Sequence, residues 1–260
     1  MATHVTNPAE RLREISRTLV EARTKAGSLQ GFPGALPSDL DEAYRVQAIS
    51  RETWPDTVIG WKVGGIPPHH REALGADFLS GPIFARRFYR AQSGGLVKMP
   101  VFADGFAAIE PEFILRIADD PANERVFIGA EIASSPIVAI NDVGPLAVVC
   151  DFGNNNGVLV GPEITDWRAM DNECVSVVTE IDGEMIAQKD VHDLPAAVMR
   201  ARDFLTGLAA RQGFSLPEGT LVSTGAITGV HDAKCGAKSR LHFGKWGTLD
   251  LELVAEQPLA

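Results

Sequence analysis

Residues 109–117 have the sequence Ile109-Glu110-Pro111-Glu112-Phe113-Ile114-Leu115-Arg116-Ile117, in which two acidic residues are embedded among apolar ones. Alternate residues of a β-strand share a face, so we predict a strand with Glu110 and Glu112 on one face. Their carboxylates would lie about 7 Å apart and repel each other unless a cation or solvent separates them. Pro111 cannot donate a hydrogen bond to a neighbouring strand, which predicts a sheet edge or a bulge. The local pattern alone fits a solvated strand face and a cation site equally well.

The composition is that of an ordinary globular protein, with 260 residues, 45% of them hydrophobic and 22% charged. A chain of this length forms one large domain or two smaller ones. The formal net charge of −10 argues against binding nucleic acid or an anionic membrane through bulk charge. A small anionic substrate is still allowed, because a bound divalent metal can reverse the local field.

Several features predict a cytoplasmic protein. The first eleven residues contain no apolar stretch followed by small residues, so we expect no secretory signal. No apolar run is long enough to cross a bilayer. There are three cysteines, Cys150, Cys174 and Cys235, and their spacing is not that of metal-binding motifs. We therefore expect buried, reduced thiols.

Residues 1–56 are predicted to form an N-terminal helical subdomain. Asn7 and Pro8 are typical of a helix start, and Ser38 with Asp41 resembles a capping pair for a second helix. Residues 57–260 are predicted to form a β-rich catalytic domain.

Short strands and glycines dominate this second region. Asp182-Gly183 predicts a hairpin, and residues 193–212 have the pattern of a long helix with Pro195 in its first turn. We therefore predict an α+β fold rather than a doubly wound parallel sheet. Its core would be a mixed β-roll or barrel-like arrangement of short strands with one embedded helix.

The motifs for phosphate loops, dinucleotide binding, serine hydrolases and zinc proteases are missing from the sequence. Glu131 lies within a mainly apolar segment, where an unpaired carboxylate is costly. Together with Glu110 and Glu112 it gives three carboxylates, which favour Mg²⁺ or Mn²⁺ over zinc. Lys62 is a charge inside an apolar strand pattern and either reaches solvent or has a function.

The sequence resembles the fumarylacetoacetate hydrolase superfamily. The resemblance is carried by the Glu-x-Glu strand, the third glutamate, Gly60-Trp61-Lys62-Val63-Gly64 and the later Ser223-Thr224-Gly225-Ala226. It covers nearly the whole chain and is stronger for the 2-keto-4-pentenoate hydratase branch, which includes 4-oxalocrotonate decarboxylases. The resemblance implies metal ligands at Glu110, Glu112 and Glu131, and a functional Lys62. It also implies a homo-oligomer, and it leaves open a complex with a decarboxylase of the same pathway.

Three departures from the hydratase pattern are visible. The connection between Glu112 and Glu131 is shorter than in hydratases, so the helix expected there is missing. The acidic residue expected just before Gly81 has no clean match, and Asp77 is the nearest candidate. His69 and Glu72 instead resemble the His-x-x-Glu dyad of the C–C hydrolases and oxaloacetate-type decarboxylases in the superfamily, although a partly exposed surface histidine is the commoner explanation of such a residue.

These observations predict a metal-dependent hydratase that adds water to a short 2-hydroxy-2,4-dienoate or 2-oxo-4-enoate acid in the breakdown of aromatic compounds. Lys62 would supply positive charge, and the candidates for proton transfer are Asp77, His69 and Glu72. Hydrogen bonds to the substrate would come from Asn155, Thr224 and Gly225.

Two alternatives remain open at this point. With His69 and Glu72 as a working dyad, the enzyme would hydrolyse an acylpyruvate C–C bond or decarboxylate a 2-oxo diacid. The second alternative, from a different class, is a non-catalytic partner subunit.

Overall fold

A computed structural model describes residues 7–91, 95–170 and 174–259 of the chain. Residues 1–6, where we expect no secretory signal, lie outside the described residues. The helices are α1 (Pro8–Thr24), α2 (Leu40–Thr53), α3 (Pro68–Leu74), α4 (Ile140–Val143), α5 (Pro145–Cys150) and α6 (Leu194–Gln212). The strands are β1 (Val58–Gly65), β2 (Phe78–Phe84), β3 (Phe88–Arg90), β4 (Leu96–Val101), β5 (Phe106–Arg116), β6 (Arg125–Ser135), β7 (Asn155–Ile164), β8 (Val175–Ile181), β9 (Glu184–Val191), β10 (Leu221–Ser223), β11 (His231–Asp232), β12 (Lys238–His242) and β13 (Thr248–Ala255).

The strands form two mixed sheets. The larger has the order β2-β1-β10-β5-β6-β7-β3, with β11 paired to β5, and the smaller has the order β4-β13-β12-β8-β9. Parallel pairs occur in both, since β1 pairs with β10 and β13 with β4. The prediction of a mixed β-rich fold is therefore confirmed, although the pairing of the described strands gives two sheets rather than one closed barrel.

One apolar core is shared by the two sheets and α6. It includes Phe113 of β5, Ile128 of β6, Leu251 of β13 and Leu205 of α6, each at most 1% exposed. Asp193 caps α6 by accepting a hydrogen bond from the amide of Ala196, as predicted for a helix that begins near Pro195. Burial of the apolar face of α6 against both sheets fixes its N-terminal end close to the end of β9.

The two N-terminal helices pack against the rest of the chain through a second core. Ile15 and Leu19 of α1 and Val46 of α2 are buried together with Leu79 of β2 and Val149 of α5. The predicted boundary at residue 56 therefore does not separate two independent cores. The start of α2 also differs from the prediction, because Asp39 rather than Ser38 is the capping residue.

Pro111 predicted a sheet edge or a bulge, but its strand, β5, lies at no sheet edge and pairs with β6 in continuous register. β5 is central, flanked by β6 on one side and by β10 and β11 on the other. β10 ends at Ser223 and β11 begins only at His231, so Pro111 faces a gap between them. Its carbonyl accepts a hydrogen bond from the amide of Ile227 on that side, and the missing N–H therefore interrupts no strand pairing.

The cysteine prediction holds for only one of the three residues. Cys150 is buried, whereas Cys174 and Cys235 are exposed, because both lie in segments between strands. In the described parts of the chain, no helix combines the length and apolar character that a membrane span requires.

Candidate metal centre

The three predicted carboxylates meet on one face of the larger sheet. β5 and β6 are antiparallel, with Glu110 directly opposite Glu131 and Glu112 opposite Gly129. Directly opposed residues of antiparallel strands project to the same side. One carboxylate oxygen from each glutamate lies within 4.8 Å of those of the other two. We call these three residues the acid cluster; their side chains are almost completely buried.

The connection between β5 and β6 brings the third glutamate into register. The described chain there contains a short turn, Pro121–Asn123, and no α-helix. The chain thus returns directly along β5, and the position of Glu131 opposite Glu110 follows from the hairpin register.

Glu112 is held by groups from the last residue of β10 and from the segment that follows it. Its Oε2 accepts a hydrogen bond from the hydroxyl of Ser223 and another, 3.0 Å long, from the amide of Gly225. Gly225 has φ +106° and a Cβ there would come within 3.1 Å of the carbonyl oxygen of Val63. A glycine is therefore suited to bring this amide to the carboxylate. The other oxygen, Oε1, is buried and has no partner among the described residues.

Glu131 is held in a similar way by two side chains. Its Oε1 lies 3.1 Å from Nζ of Lys62 and accepts a 3.1 Å hydrogen bond from Nδ2 of Asn155. Nζ of Lys62 also donates to Oδ1 of Asn154 at 3.2 Å. The second oxygen, Oε2 of Glu131, is buried and unpartnered within the described chain.

Two orphaned carboxylate oxygens in one buried cluster fit a hard divalent cation. Buried polar atoms in folded proteins nearly always have partners, and unpaired anionic oxygens are especially costly. Three carboxylates beside the ammonium group of Lys62 also leave an excess of two negative charges. A set of oxygen donors with no cysteine or histidine suits Mg²⁺, Mn²⁺ or Ca²⁺.

Burial dominates the electrostatics of the cluster. It raises the pKa of Glu110 to about 7, with Lys62 opposing this shift and Glu131 adding to it. Burial also raises the pKa of Glu112 well above its usual value, and the charges of Glu131 and Glu110 raise it further. Burial disfavours the charge on Lys62, but Glu131 and the other two glutamates outweigh it, so that its pKa is raised. Lys62 therefore stays protonated, and a bound cation would favour the ionised forms of Glu110 and Glu112, which burial disfavours.

A cavity of about 810 Å³ opens from the cluster, within the size range of small-molecule sites. Lys62, Glu110, Asn154, Thr224 and Gly225 contribute to its wall. The hydroxyl of Thr224 donates to the carbonyl of Phe113 at 2.9 Å, which leaves its oxygen able to accept. The wall also includes four basic and two acidic side chains that the sequence did not indicate: Arg71, Lys189, His192, Arg200, Asp190 and Asp193.

The structure does not bring the three predicted proton-transfer residues to this cavity. His69 and Glu72 are exposed on α3, a helix with no buried residue. Asp77 is also exposed and lies 3.6 Å from Nη1 of Arg71. None of the three lines the cavity. Asn155, predicted to bind substrate, instead holds Glu131 and does not line the cavity, whereas the neighbouring Asn154 does.

The arrangement of the two mixed sheets is one that the chain shares with solved structures of other proteins. No protein-family model and no curated protein matches the sequence. Among solved structures, the chain is similar to 4-oxalocrotonate decarboxylase from Pseudomonas putida G7, complexed with calcium and acetate, with a TM-score of 0.74 and 19% identity over 96% of this chain and 99% of that one. A second structure of that enzyme, complexed with magnesium and adipate, gives a TM-score of 0.75 and 18% identity over the same shares of the two chains.

A more distant structure has the same fold. Fumarylpyruvate hydrolase from Pseudomonas aeruginosa, in complex with Mn²⁺ and pyruvate, matches with a TM-score of 0.54 and 16% identity over 75% of this chain and 89% of that one. At these identities the similarity establishes the fold, and the reaction has to be argued from the site.

Proposed function

We propose that the protein is a divalent-metal-dependent enzyme acting on a small anionic 2-oxo acid, and that it is a hydratase for a short 2-hydroxy-2,4-dienoate. The observation that carries the proposal is the pair of buried, unpartnered oxygens on Glu112 and Glu131, beside Glu110 in the cavity wall. The solved structures of the same fold contain calcium, magnesium or manganese, which supports the assignment of a hard divalent cation.

The acid cluster would hold the cation, with Glu110 as the ligand that faces the substrate cavity. When bound, a divalent cation supplies Lewis-acid charge for the oxygen atoms of a 2-oxo acid. Lys62 lines the same cavity and is protonated, so it adds a fixed positive charge next to the position of the substrate carboxylate. Charge that develops on the 2-oxygen during the reaction is stabilised by such a preorganised group.

Hydrogen bonds to the substrate would come from two sides of the cavity. Asn154 has its side-chain carbonyl committed to Lys62, which leaves its amide group to donate. Thr224 has its hydroxyl proton committed to Phe113, which leaves its oxygen to accept. The two residues therefore offer opposite hydrogen-bonding groups to an unsaturated acid.

Proton transfer in this proposal is assigned to His192. It lines the cavity, and histidine is the side chain that most often transfers protons in enzymes. His69 serves as a matched control, because it is exposed and outside the cavity wall. We expect His192→Ala to lower kcat for hydration at least about 100-fold and His69→Ala to leave it unchanged. The opposite result would support the hydrolase alternative, in which His69 and Glu72 act as a dyad.

A second candidate is decarboxylation of a 2-oxo diacid. Lys189 and Arg200 line the cavity, and in the described chain neither has an acidic partner within 4.0 Å. Two such cations suit a second carboxylate at the far end of a substrate. If this candidate is right, the double variant Arg200→Gln/Lys189→Gln should raise KM for a diacid at least about tenfold. It should change KM for a monoacid much less.

The decisive assay compares three substrates, with and without added Mg²⁺ or Mn²⁺. They are 2-hydroxypenta-2,4-dienoate, a 2-oxo diacid with a conjugated double bond, and an acylpyruvate. Metal-dependent loss of the dienoate absorbance without release of CO₂ supports the hydratase. Release of CO₂ from the diacid supports the decarboxylase. Absence of turnover with all three, together with absence of metal by elemental analysis, would support the non-catalytic partner subunit.

A further inference from the structure

Arg23 is a fully buried cation on α1, outside the cavity described above. It lies in the last turn of the helix, and its side chain is 3% exposed. The guanidinium group forms a two-pronged ion pair with Asp151, with Nε–Oδ1 and Nη2–Oδ2 distances of 2.5 and 2.9 Å. The rings of Phe102 and Phe152 each lie 5.3 Å from its central carbon. A group so completely enclosed has a fixed position.

The N–H groups of Arg23 also bind three backbone carbonyls and one side-chain oxygen around the residue 151–156 loop. Nη1 donates to the carbonyl of Asn155 at 3.2 Å and to Oδ1 of Asn156 at 3.3 Å. Nη2 donates to the carbonyls of Ser134 and Asp151, each at 3.1 Å. One guanidinium group therefore joins both ends of the loop to the end of β6, the strand that carries Glu131.

The loop needs such an anchor because its backbone is unfavourable. Phe152, Gly153 and Asn154 have φ values of 56°, 67° and 54°. Only glycine adopts this left-handed region without cost, and non-glycine residues remain there when the surrounding contacts impose it. Asn154, the last of the three, holds Lys62, and Asn155, which follows it directly, holds Glu131.

We propose that Arg23 is a positioning residue of the cation site, acting through the 151–156 loop on Lys62 and Glu131. This inference rests on the proposed function, in which the acid cluster binds a divalent cation. It makes α1 part of the site rather than an accessory helix. The simpler alternative is that Arg23 and Asp151 only attach the helix to the rest of the protein.

The two interpretations differ in what happens to cation binding when the fold is kept. Arg23→Met alone would leave Asp151 buried without a counter-charge, which is strongly destabilising. Two variants avoid this problem. Arg23→Lys keeps the positive charge but loses the planar guanidinium group and its two-pronged hydrogen bonds. Arg23→Met combined with Asp151→Asn removes both charges. The matched control is Arg11→Met, which removes the 2.6 Å ion pair of α1 with Glu42 on α2 and has no contact with the loop.

The experiment measures the dissociation constant of Mn²⁺ by calorimetry, and the thermal midpoint in EDTA, for the wild type and the three variants. We expect Kd to rise about 10- to 100-fold in both Arg23 variants, as for other residues that orient metal ligands. Arg11→Met should keep the wild-type Kd even where its midpoint falls. Hydrogen exchange at residues 154–157 in EDTA should be faster in Arg23→Lys than in Arg11→Met.

Each outcome separates the two proposals. A wild-type protein that binds no Mn²⁺ overturns the proposed function, and the exchange measurement in EDTA then still tests the role of Arg23 on the loop. Binding by the wild type with an unchanged Kd in the folded Arg23 variants overturns the positioning role. The positioning role is also overturned if Kd rises in proportion to the fall in thermal midpoint in all three variants, including the control Arg11→Met.

Discussion

Replacement of Lys62 by methionine tests the electrostatics of the acid cluster. Lys62 is buried against Glu131, with side-chain exposures of 5% and 0%, and it is the cation that offsets the three glutamates in the metal-free protein. Removal of one partner from a buried ion pair costs about 3–5 kcal/mol. We therefore expect Lys62→Met to lower the free energy of unfolding by about that amount at pH 8 in EDTA. Lys189→Met, which removes an exposed lysine from the same cavity, should change it by less than about 0.5 kcal/mol.

The loss in Lys62→Met should depend on pH and on metal. Glu110 and Glu112 take up protons as the pH falls from 8 to 5, so the difference from the wild type should shrink. A divalent cation at 100 times its Kd stabilises a protein by about 2.7 kcal/mol. Since the variant has the larger negative excess, Mn²⁺ should stabilise it more than the wild type. Urea unfolding of both proteins at pH 5 and pH 8, in EDTA and in Mn²⁺, measures the difference in their free energies of unfolding under four conditions. A difference that is the same in all four conditions would refute this reasoning.

Three further predictions concern acidity, packing and substrate charge. Burial holds the pKa of Glu110 at about 7 and that of Glu112 well above the ordinary 4.5. With respect to these groups the metal-free protein should therefore be most stable below pH 4.5 and lose stability as the pH rises. For Glu110 the loss is complete above about pH 7 and amounts to about 3 kcal/mol. Calorimetry should show proton release on Mn²⁺ binding at pH 6, and a metal affinity independent of pH between 5 and 7 would contradict this assignment. Gly81→Ala should lower the thermal midpoint by several degrees, because its Cβ would lie 2.0 Å from the backbone of the neighbouring loop, whereas Gly31→Ala, with open space, should not. Arg200→Gln should slow the capture of an anionic substrate, seen as a lower kcat/KM that responds less to salt than that of the wild type.

The acid cluster could be predicted because its geometry follows from local rules. The spacing of Glu110 and Glu112 requires them to share a face of any strand. A short hairpin connection then returns the chain along the same strand, which places Glu131 opposite Glu110. The resemblance to known enzymes added Lys62, because its place in the sequence alone favours a lysine that reaches solvent.

The rest of the site depends on contacts between distant segments. Arg200 and Lys189 reach the cavity from α6 and β9, and no local pattern relates them to β5. The anchoring role of Arg23 depends on Asp151, which is 128 positions away in the chain. Pro111 indicated a sheet edge because a proline usually interrupts pairing, but the gap between β10 and β11 allows it in a central strand. These features appear only when the tertiary structure is known.

The central claim is that Glu110, Glu112 and Glu131 together hold one divalent cation. The most direct test is titration of metal-free protein with Mn²⁺, followed by electron paramagnetic resonance, for the wild type and for Glu112→Gln, which keeps the shape of the side chain. The account predicts one Mn²⁺ bound per chain in the wild type and at least tenfold weaker binding in the variant. Equal binding by the two proteins, or no binding by the wild type, would contradict it.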